Sequence, residues 1–486
     1  MRIAAAVALA AAAVLGPAGA RGEEGTKPPA PGARPTRADL DGAVAKGVKF
    51  LLADQKPDGA WTTREYGLDS SGHTVAVTAV AMEAVLAGAG PVPEALKAVQ
   101  AGLGFLEQHA AGIGGGKIHH GFDFNGWGAA FGLRHLAGVR DRWPAGSKAP
   151  DMKALVDVFT GWAAKNRHPC GGWSYLTKDQ DPRFERDGSV SFLTGVMIEG
   201  LTRWDPKSPL LAPAAEDLSK SCDGEGRALY SHAGDWPGLP RGKEESAGRS
   251  LQAALVLAGL GKHGPEDVEK RVAEFFEVRQ EFAKVRTQHP HTPPHMIAGY
   301  YYCHAHSHAA RALRFLAAGE GAPSKARDAR VGELLAALLA EQDADGAWMD
   351  APCGDRAYAT SLAVMELLDL RELLFPWSGT LEGAVAAAKE AGAPVVVFIS
   401  DGGAESRKVE EMLGGKDLEG IREKVHWVRV GKESADLWKA AKVSKAPALL
   451  VLAPAGEYDL ARPAQKWGGG VGVKTVRGAL EKMLPK

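Results

Sequence analysis

The stretch ADQKPDGAW at 53–61 returns far downstream as AEQDADGAW at 340–348, in one shared frame of Ala-acid-Gln-x-x-Asp-Gly-Ala-Trp. A weaker ending of the same kind, PCGGWSY at 169–175, follows the helical text MKALVDVFTGWAAKN. Each copy reads as a helix, a Gly-rich turn, and then a second helix of small apolar residues. Six second helices are legible, beginning in SGHTVAVTAVAMEAVLAG, FNGWGAAFGLRHLAG, DGSVSFLTGVMIEGL, ESAGRSLQAALVLAGLG, PHMIAGYYYCHAHSHAARAL and DRAYATSLAVMELLDL. Their spacing of roughly 50 to 60 residues lies slightly above the common repeat periods. Ser70, Asp187, Ser246 and Asp355 stand where an N-cap accepts backbone N–H bonds. Val75, Ala79, Met82 and Leu86 then recur at helical spacing. One such pair cannot bury its own apolar surface, so pairs must stack, and six pairs can close into a ring without exposed ends.

The text KGVKFLLADQKPDGAW at 46–61 resembles the QW repeat of squalene and oxidosqualene cyclases, with Lys46, Gly47, Phe50, Leu51, Gln55, Gly59 and Trp61 in the expected order. Over 38–372 the chain is similar to the terpenoid cyclase/protein prenyltransferase α/α-toroid superfamily. The match is strongest at both ends and weak in the second and fourth repeats. The resemblance implies an (α/α)6 toroid in which Gln55, Gly59, Trp61, Gln342, Gly346 and Trp348 are structural, tying outer helix to next inner helix.

In such a ring one set of inner-helix ends faces a central cavity, and helix N-termini favour anions. Matching the repeat starts places His73, Trp127, Asp187, Ser191, Arg249, His291, His295, Tyr301, His304 and Tyr358 near that mouth. Of these, His73, Trp127, Ser191, Arg249 and Tyr358 are candidate ligand contacts. His291, His295, Tyr301, His304 and Asp187 are the candidates for acid–base work, for instance on an exported polysaccharide. The resemblance also raises terpenoid cyclisation, but ERDGS at 185–189 supplies Glu185 and Asp187 without the DxDD cluster of class II cyclases. Aromatics at 7% are sparse for a carbocation-stabilising cavity. Prenyltransferase β-subunits hold zinc with Asp, Cys and His. Here Asp350, Cys353 and His304 are the corresponding candidates, although the His cluster precedes the Asp instead of following it. No other cofactor is suggested.

Texture changes at Pro376–Trp377, where helices begin to alternate with continuous apolar strands such as APVVVFIS and APALLVLAP, the mark of an α/β layer. Residues 376–486 resemble a thioredoxin-like domain, with VVVFISDGGAESRKVEEML as central strand, active-site turn and long helix. Pro447 matches the cis-proline position, and Pro454-Ala455-Gly456 a hairpin turn. Where that family carries CxxC, this chain has DGGAES at 401–406 and no cysteine in the domain. Thiol–disulfide exchange requires a thiolate, so the module is expected to be redox-inactive.

Residues 1–20 combine Arg2, an apolar run and Ala18-Gly19-Ala20, the pattern of a cleaved secretory signal. The competing reading is a membrane anchor, but Gly16–Pro17 breaks the run. Residues 21–37 form a Pro/Gly-rich tether. No later segment reads as a membrane span. The expected location is periplasmic or secreted. Cys170, Cys222, Cys303 and Cys353 then allow three disulfide pairings, among which sequence does not choose. With 58 Lys+Arg against 59 Asp+Glu, composition offers no nucleic-acid face. The leading expectation is an exported binding protein for a small molecule, a glycan or a protein partner. The rival is a toroid enzyme acting on polysaccharide or isoprenoid.

Overall fold

The computed structural model describes residues 35, 37–61, 71–115, 125–144, 148–179, 188–231, 242–285, 302–319, 325–350, 356–374, 377–378, 380–401, 404–414, 416–422, 424–431, 434–453, 458–468 and 472–484. Helices alternate through the first three quarters of the chain. The outer ones are α1 (Arg37–Asp54), α3 (Pro93–Gly115), α5 (Lys153–Lys165), α7 (Leu211–Lys220), α9 (Pro265–Val285) and α11 (Lys325–Glu341). The inner ones are α2 (Ser71–Ala89), α4 (Asn125–Arg142), α6 (Ser191–Trp204), α8 (Lys243–Gly259), α10 (Tyr302–Gly319) and α12 (Arg356–Leu373). Each inner helix packs on the next, and α12 packs back on α2. The result is a closed helical toroid. The inner helices are buried nearly all round, as a helix enclosed on every side must be.

The repeated turns share one hydrogen-bond pattern. At 56–61, Lys56 N donates to Ala60 O and Gly59 N to Lys56 O. The same two bonds recur from His168 to Gly172, from Asp223 to Arg227 and from Asp343 to Ala347. The next residue then donates its backbone N–H to a hydroxyl on the following inner helix. The pairs are Trp61 to Thr78 (3.1 Å), Trp173 to Thr194 (3.1 Å), Ala228 to Ser250 (3.0 Å) and Trp348 to Thr360 (3.0 Å). Each tryptophan's indole N–H reaches back to the outer helix, at Leu51, Ala163 and Leu338 carbonyls. The fourth copy is weak in sequence because Ala228 replaces the tryptophan. Its backbone geometry is unchanged.

Gln55 Nε2 donates to Ala98 O on α3, and Gln342 Nε2 to Ala43 O on α1. The turn glycine has positive φ at Gly59 (92°), Gly171 (112°), Gly226 (82°) and Gly346 (95°), where only glycine is comfortable. A Cβ on Gly346 would sit 2.5 Å from Lys46 O, so this turn docks directly on α1 and closes the ring. The motif residues thus act structurally.

Three sequence expectations change. Ser246 is not an N-cap. The helix begins upstream at Lys243, Gly242 is the cap, and Ser246 Oγ donates back to Gly242 O. Acidic Glu244 and Glu245 in the first turn complement the helix dipole and extend it. Gly72–Ala89 is, by length and hydropathy, apolar enough to cross a bilayer, contrary to expectation. It is α2, apolar because the ring encloses it. Cys170 and Cys222 carry free thiols, raised by burial to about 11, so neither is paired. Ser70, Asp187 and Asp355 lie outside the described residues, as do 1–34 and Pro454–Glu457.

The remaining elements are β1 (Trp377–Ser378), α13 (Leu381–Ala391), β2 (Val395–Ile399), α14 (Ala404–Gly414), α15 (Glu419–Arg422), β3 (His426–Val430), α16 (Ala435–Ala440), β4 (Ala448–Leu452), β5 (Gln465–Gly468) and α17 (Val473–Met483). The sheet order is β1-β3-β2-β4-β5, parallel through β1, β3 and β2, with β4 antiparallel to β2 and β5 antiparallel to β4. Every residue of β2 and β4 is buried, which is why these strands are unbroken apolar runs. The short β1 and β5 strands carry too little apolar text to be read from sequence. Arg429 on β3 bridges Glu410 of α14 and Glu372 of α12, joining sheet to ring.

Gly346→Ala combines strained φ with a backbone clash, whereas Gly90 has φ of 70° and open space around it. Gly346→Ala should cost about 3 kcal/mol or more, against about 1 kcal/mol for Gly90→Ala. Urea unfolding of both variants checks this, and equal losses would contradict ring closure through the 343–348 turn.

Candidate functional site

First-turn residues of the inner helices meet at the ring axis, which shows that these helices begin at one end. Trp127 of α4 lies 5.5 Å from the His73 ring of α2, 5.7 Å from Phe192 of α6 and 5.8 Å from Tyr358 of α12. Phe131 stacks beneath Trp127 at 5.0 Å, and His304 of α10 meets Phe192 edge-on at 4.6 Å. Trp127 and Tyr358 keep a small exposed edge, 7% and 6%, while Phe131 and Phe192 are buried. An aromatic floor therefore closes the mouth. Tyr175 and Tyr230, both half-buried, extend it to one side, with their hydroxyls hydrogen-bonded at 2.9 Å and Tyr175 at 6.5 Å from Trp127.

One wall of the mouth comes from α8. Glu245, Arg249, Gln252 and Val256 share a helix face by their spacing of four, three and four. Gln252 Nε2 donates to Phe192 O at 3.1 Å and Oε1 lies 3.5 Å from His304, so this face looks onto the axis. At 1.5 Å rise per residue, Arg249 and Glu245 stand about 4.5 and about 10 Å above Gln252, toward the mouth. Arg249 stacks over the Tyr230 ring at 5.6 Å, and its Nη2 is 3.9 Å from Glu245 Oε1. Burial pushes the Glu245 carboxyl above its ordinary range, opposed by Arg249.

Below the floor the axis is charged and tightly paired. Glu199 Oε2 pairs with Arg134 Nε at 2.9 Å, and Oε1 accepts from Arg311 Nη2 at 2.7 Å. Burial alone would raise Glu199, yet the two arginines hold it at about 2. His308 Nδ1 donates to His304 O, leaving Nε2 to accept from Arg311 Nη1 at 3.2 Å. Nearby, Glu83 is gripped by Arg142 and by His135 Nδ1 at 2.6 and 2.7 Å. Burial keeps His135 neutral, lowered to about 4, so its Nδ1–H donates to an ionised Glu83.

Of the sequence candidates, His73, Trp127, Tyr358 and Arg249 stand at the mouth. His304 does not: it is 1% exposed, under Phe192, and desolvation together with His308 and Arg134 lowers it well below 6.5. Ser191 Oγ donates to Leu229 O and pins a turn to α6 instead of facing ligand. Asp350 accepts from Cys303 N at the start of α10. Among the described residues no three His, Cys, Asp or Glu side chains gather as a metal site. Asp187, His291, His295, Tyr301 and Cys353 lie outside the described residues. Sequence reading missed Glu245, Tyr175, Tyr230 and the Arg134–Glu199–Arg311 network. The i, i+4 spacing of Glu245 and Arg249 on an inner helix was the available signal.

No known protein family and no curated protein matches this chain. Solved structures match it at low similarity. The α-1,6-mannanase GH76A of Salegentibacter sp. HEL1_6 is 13% identical, covering 69% of this chain and 99% of its own, with a TM-score of 0.43. The Lin0763 protein from Listeria innocua is 13% identical, over 69% and 97%, with a TM-score of 0.43. A protein from Actinoplanes is 16% identical, over 68% and 99%, with a TM-score of 0.39. No residue role is carried over from them.

His73 and His135 are lowered to about 4, and His304 and His308 well below 6.5, each chiefly by burial. The unfolded chain binds these protons near 6.5, so stability falls as pH drops from 6.5 toward each folded value. The loss is about 1.4 kcal/mol per pH unit for each buried histidine. Calorimetric melting should give a lower Tm at pH 5 than at pH 7, with a smaller difference in His308→Gln. A pH-independent Tm would contradict neutral buried histidines.

Proposed function

We propose that this chain is an exported glycan-binding protein, its ligand lying across the aromatic bowl at the toroid mouth. The observation that carries this reading is the floor itself. Trp127, Tyr175, Tyr230 and Tyr358 offer ring surface and phenolic hydroxyls side by side, the combination that takes up the C–H face and hydroxyl rim of a sugar. Phe131, Phe192 and His304 fill the axis immediately below, and a paired charge network follows. A long isoprenoid chain would need that space as an apolar well, so the filled axis supports a shallow polar ligand over cyclase or prenyltransferase chemistry.

Export rests on the secretory pattern of residues 1–20, and places the bowl in the periplasm or outside the cell, where polymeric glycans are met. The C-terminal module is a redox-inactive thioredoxin-like domain in this proposal. Its sheet order and the strand and helix at 395–399 and 404–414 support that reading. At the turn, Ser406 Oγ donates to Asp401 Oδ1 at 2.7 Å where a redox member would hold a thiol. This module then serves as a binding or spacing element.

Isothermal titration of the full chain against a panel of neutral and acidic trisaccharides tests the proposal. Trp127→Ala and Tyr230→Ala should each weaken binding about tenfold or more, with far-UV circular dichroism unchanged. Binding indifferent to both substitutions, or no binding across the panel, sinks the glycan reading.

A further inference from the structure

The wall of the bowl holds a buried cation that the protein does not satisfy. Arg249 is 3% exposed. Among the described residues its carboxylate neighbour is Glu245, in a loose contact of 3.9 Å, and Nη1 donates to the Glu245 backbone carbonyl. Arg249 Nε is buried and meets no hydrogen-bond partner among the described residues. Glu245 Oε2, on a residue 5% exposed, is buried and unpartnered in the same sense. A buried charge left this way is costly unless something completes it. By contrast, Arg134 and Arg311 one layer down each sit within 3 Å of a Glu199 carboxylate oxygen.

Both orphaned groups face the axis, since they share the stripe of Gln252, which reaches Phe192 and His304. Both stand above the aromatic floor. The inner helices begin at this end, so their dipoles add positive potential here. His73, neutral at the opposite side of the mouth, neither competes for an anion nor repels one.

Resting on the glycan reading above, we propose that the bowl is selective for acidic sugars, with Arg249 binding the carboxylate of a uronate residue. Arg249 Nε–H donates to one carboxylate oxygen of the sugar. Glu245, when protonated, donates from its carboxyl to the other, and when ionised it opposes the ligand. The sugar ring rests on Trp127 and Tyr230.

The test is calorimetric titration of the full chain with trigalacturonate, a neutral galactose trisaccharide and inorganic phosphate, at low and moderate salt. The expected result is that trigalacturonate binds about tenfold or more tighter than the neutral trisaccharide, with salt weakening only the acidic ligand. Arg249→Gln should bring the two sugars to within about twofold of each other, with the salt dependence of trigalacturonate binding lost. Glu245→Gln should tighten trigalacturonate several-fold, and this variant removes no cation, so it remains informative if Arg249→Gln fails to fold. Equal affinity of the wild type for acidic and neutral sugars overturns the acidic-sugar inference alone and leaves glycan binding standing. Phosphate binding as tight as trigalacturonate overturns it in favour of a plain anion site. Binding of no sugar at all overturns the glycan reading beneath it.

Discussion

The fold depends on a backbone N–H meeting a hydroxyl. In each of four described turns, the residue after a Gly-centred loop donates to Thr78, Thr194, Ser250 or Thr360 on the next inner helix. The turn's positive-φ glycine removes the side chain that would hold the loop off the neighbouring outer helix. Gln55 and Gln342 then bind carbonyls on that neighbour. Each turn thereby joins three helices, its own outer helix, the following inner helix and the next outer one. Repeated around the chain, this local geometry has one consequence: the last turn must land on the first helix. Gln342 bonding Ala43 O is that landing.

Closing the ring creates an axis, and what fills it limits function. Small residues on the inner helices bring them close, and long side chains from successive turns then stack toward the centre. Aromatic rings come first, Trp127, Phe131, Phe192 and Tyr358. Arg134, Glu199, Arg311 and His308 follow beneath them, mutually paired because buried charges require it. The axis is therefore filled below the aromatic layer, and in the proposed function Tyr175, Tyr230, Glu245 and Arg249 are among the groups that meet a ligand.

Much of this was legible in the residues. The repeated frame gave the turn, the Gly and the Trp, and the alternation of apolar strands with helices gave the α/β layer. The copy at 223–228 escaped notice because its conserved element is a backbone bond to Ser250, not a side chain. His304 matched the repeat starts and so was expected at the mouth, yet it lies 1% exposed against the edge of Phe192. Low aromatic content argued against an aromatic cavity, but composition counts residues without regard to where they gather. Glu245 carried no motif at all.

Sequence by itself determined the local units: which stretches are helices, where glycine must turn the chain, and that the pairs cannot stand alone. Those follow from period, φ and apolar pattern, which act over a few residues. The tertiary structure alone decided which side chains share the axis, which charges find partners and which are left short. Such pairings join residues far apart in the chain, such as Glu199 with Arg134 and Arg311, and depend on how far each helix starts above the floor. Arg249 shows the difference. As text it is one arginine among many; in the ring it is a buried cation beside Tyr230 and Glu245.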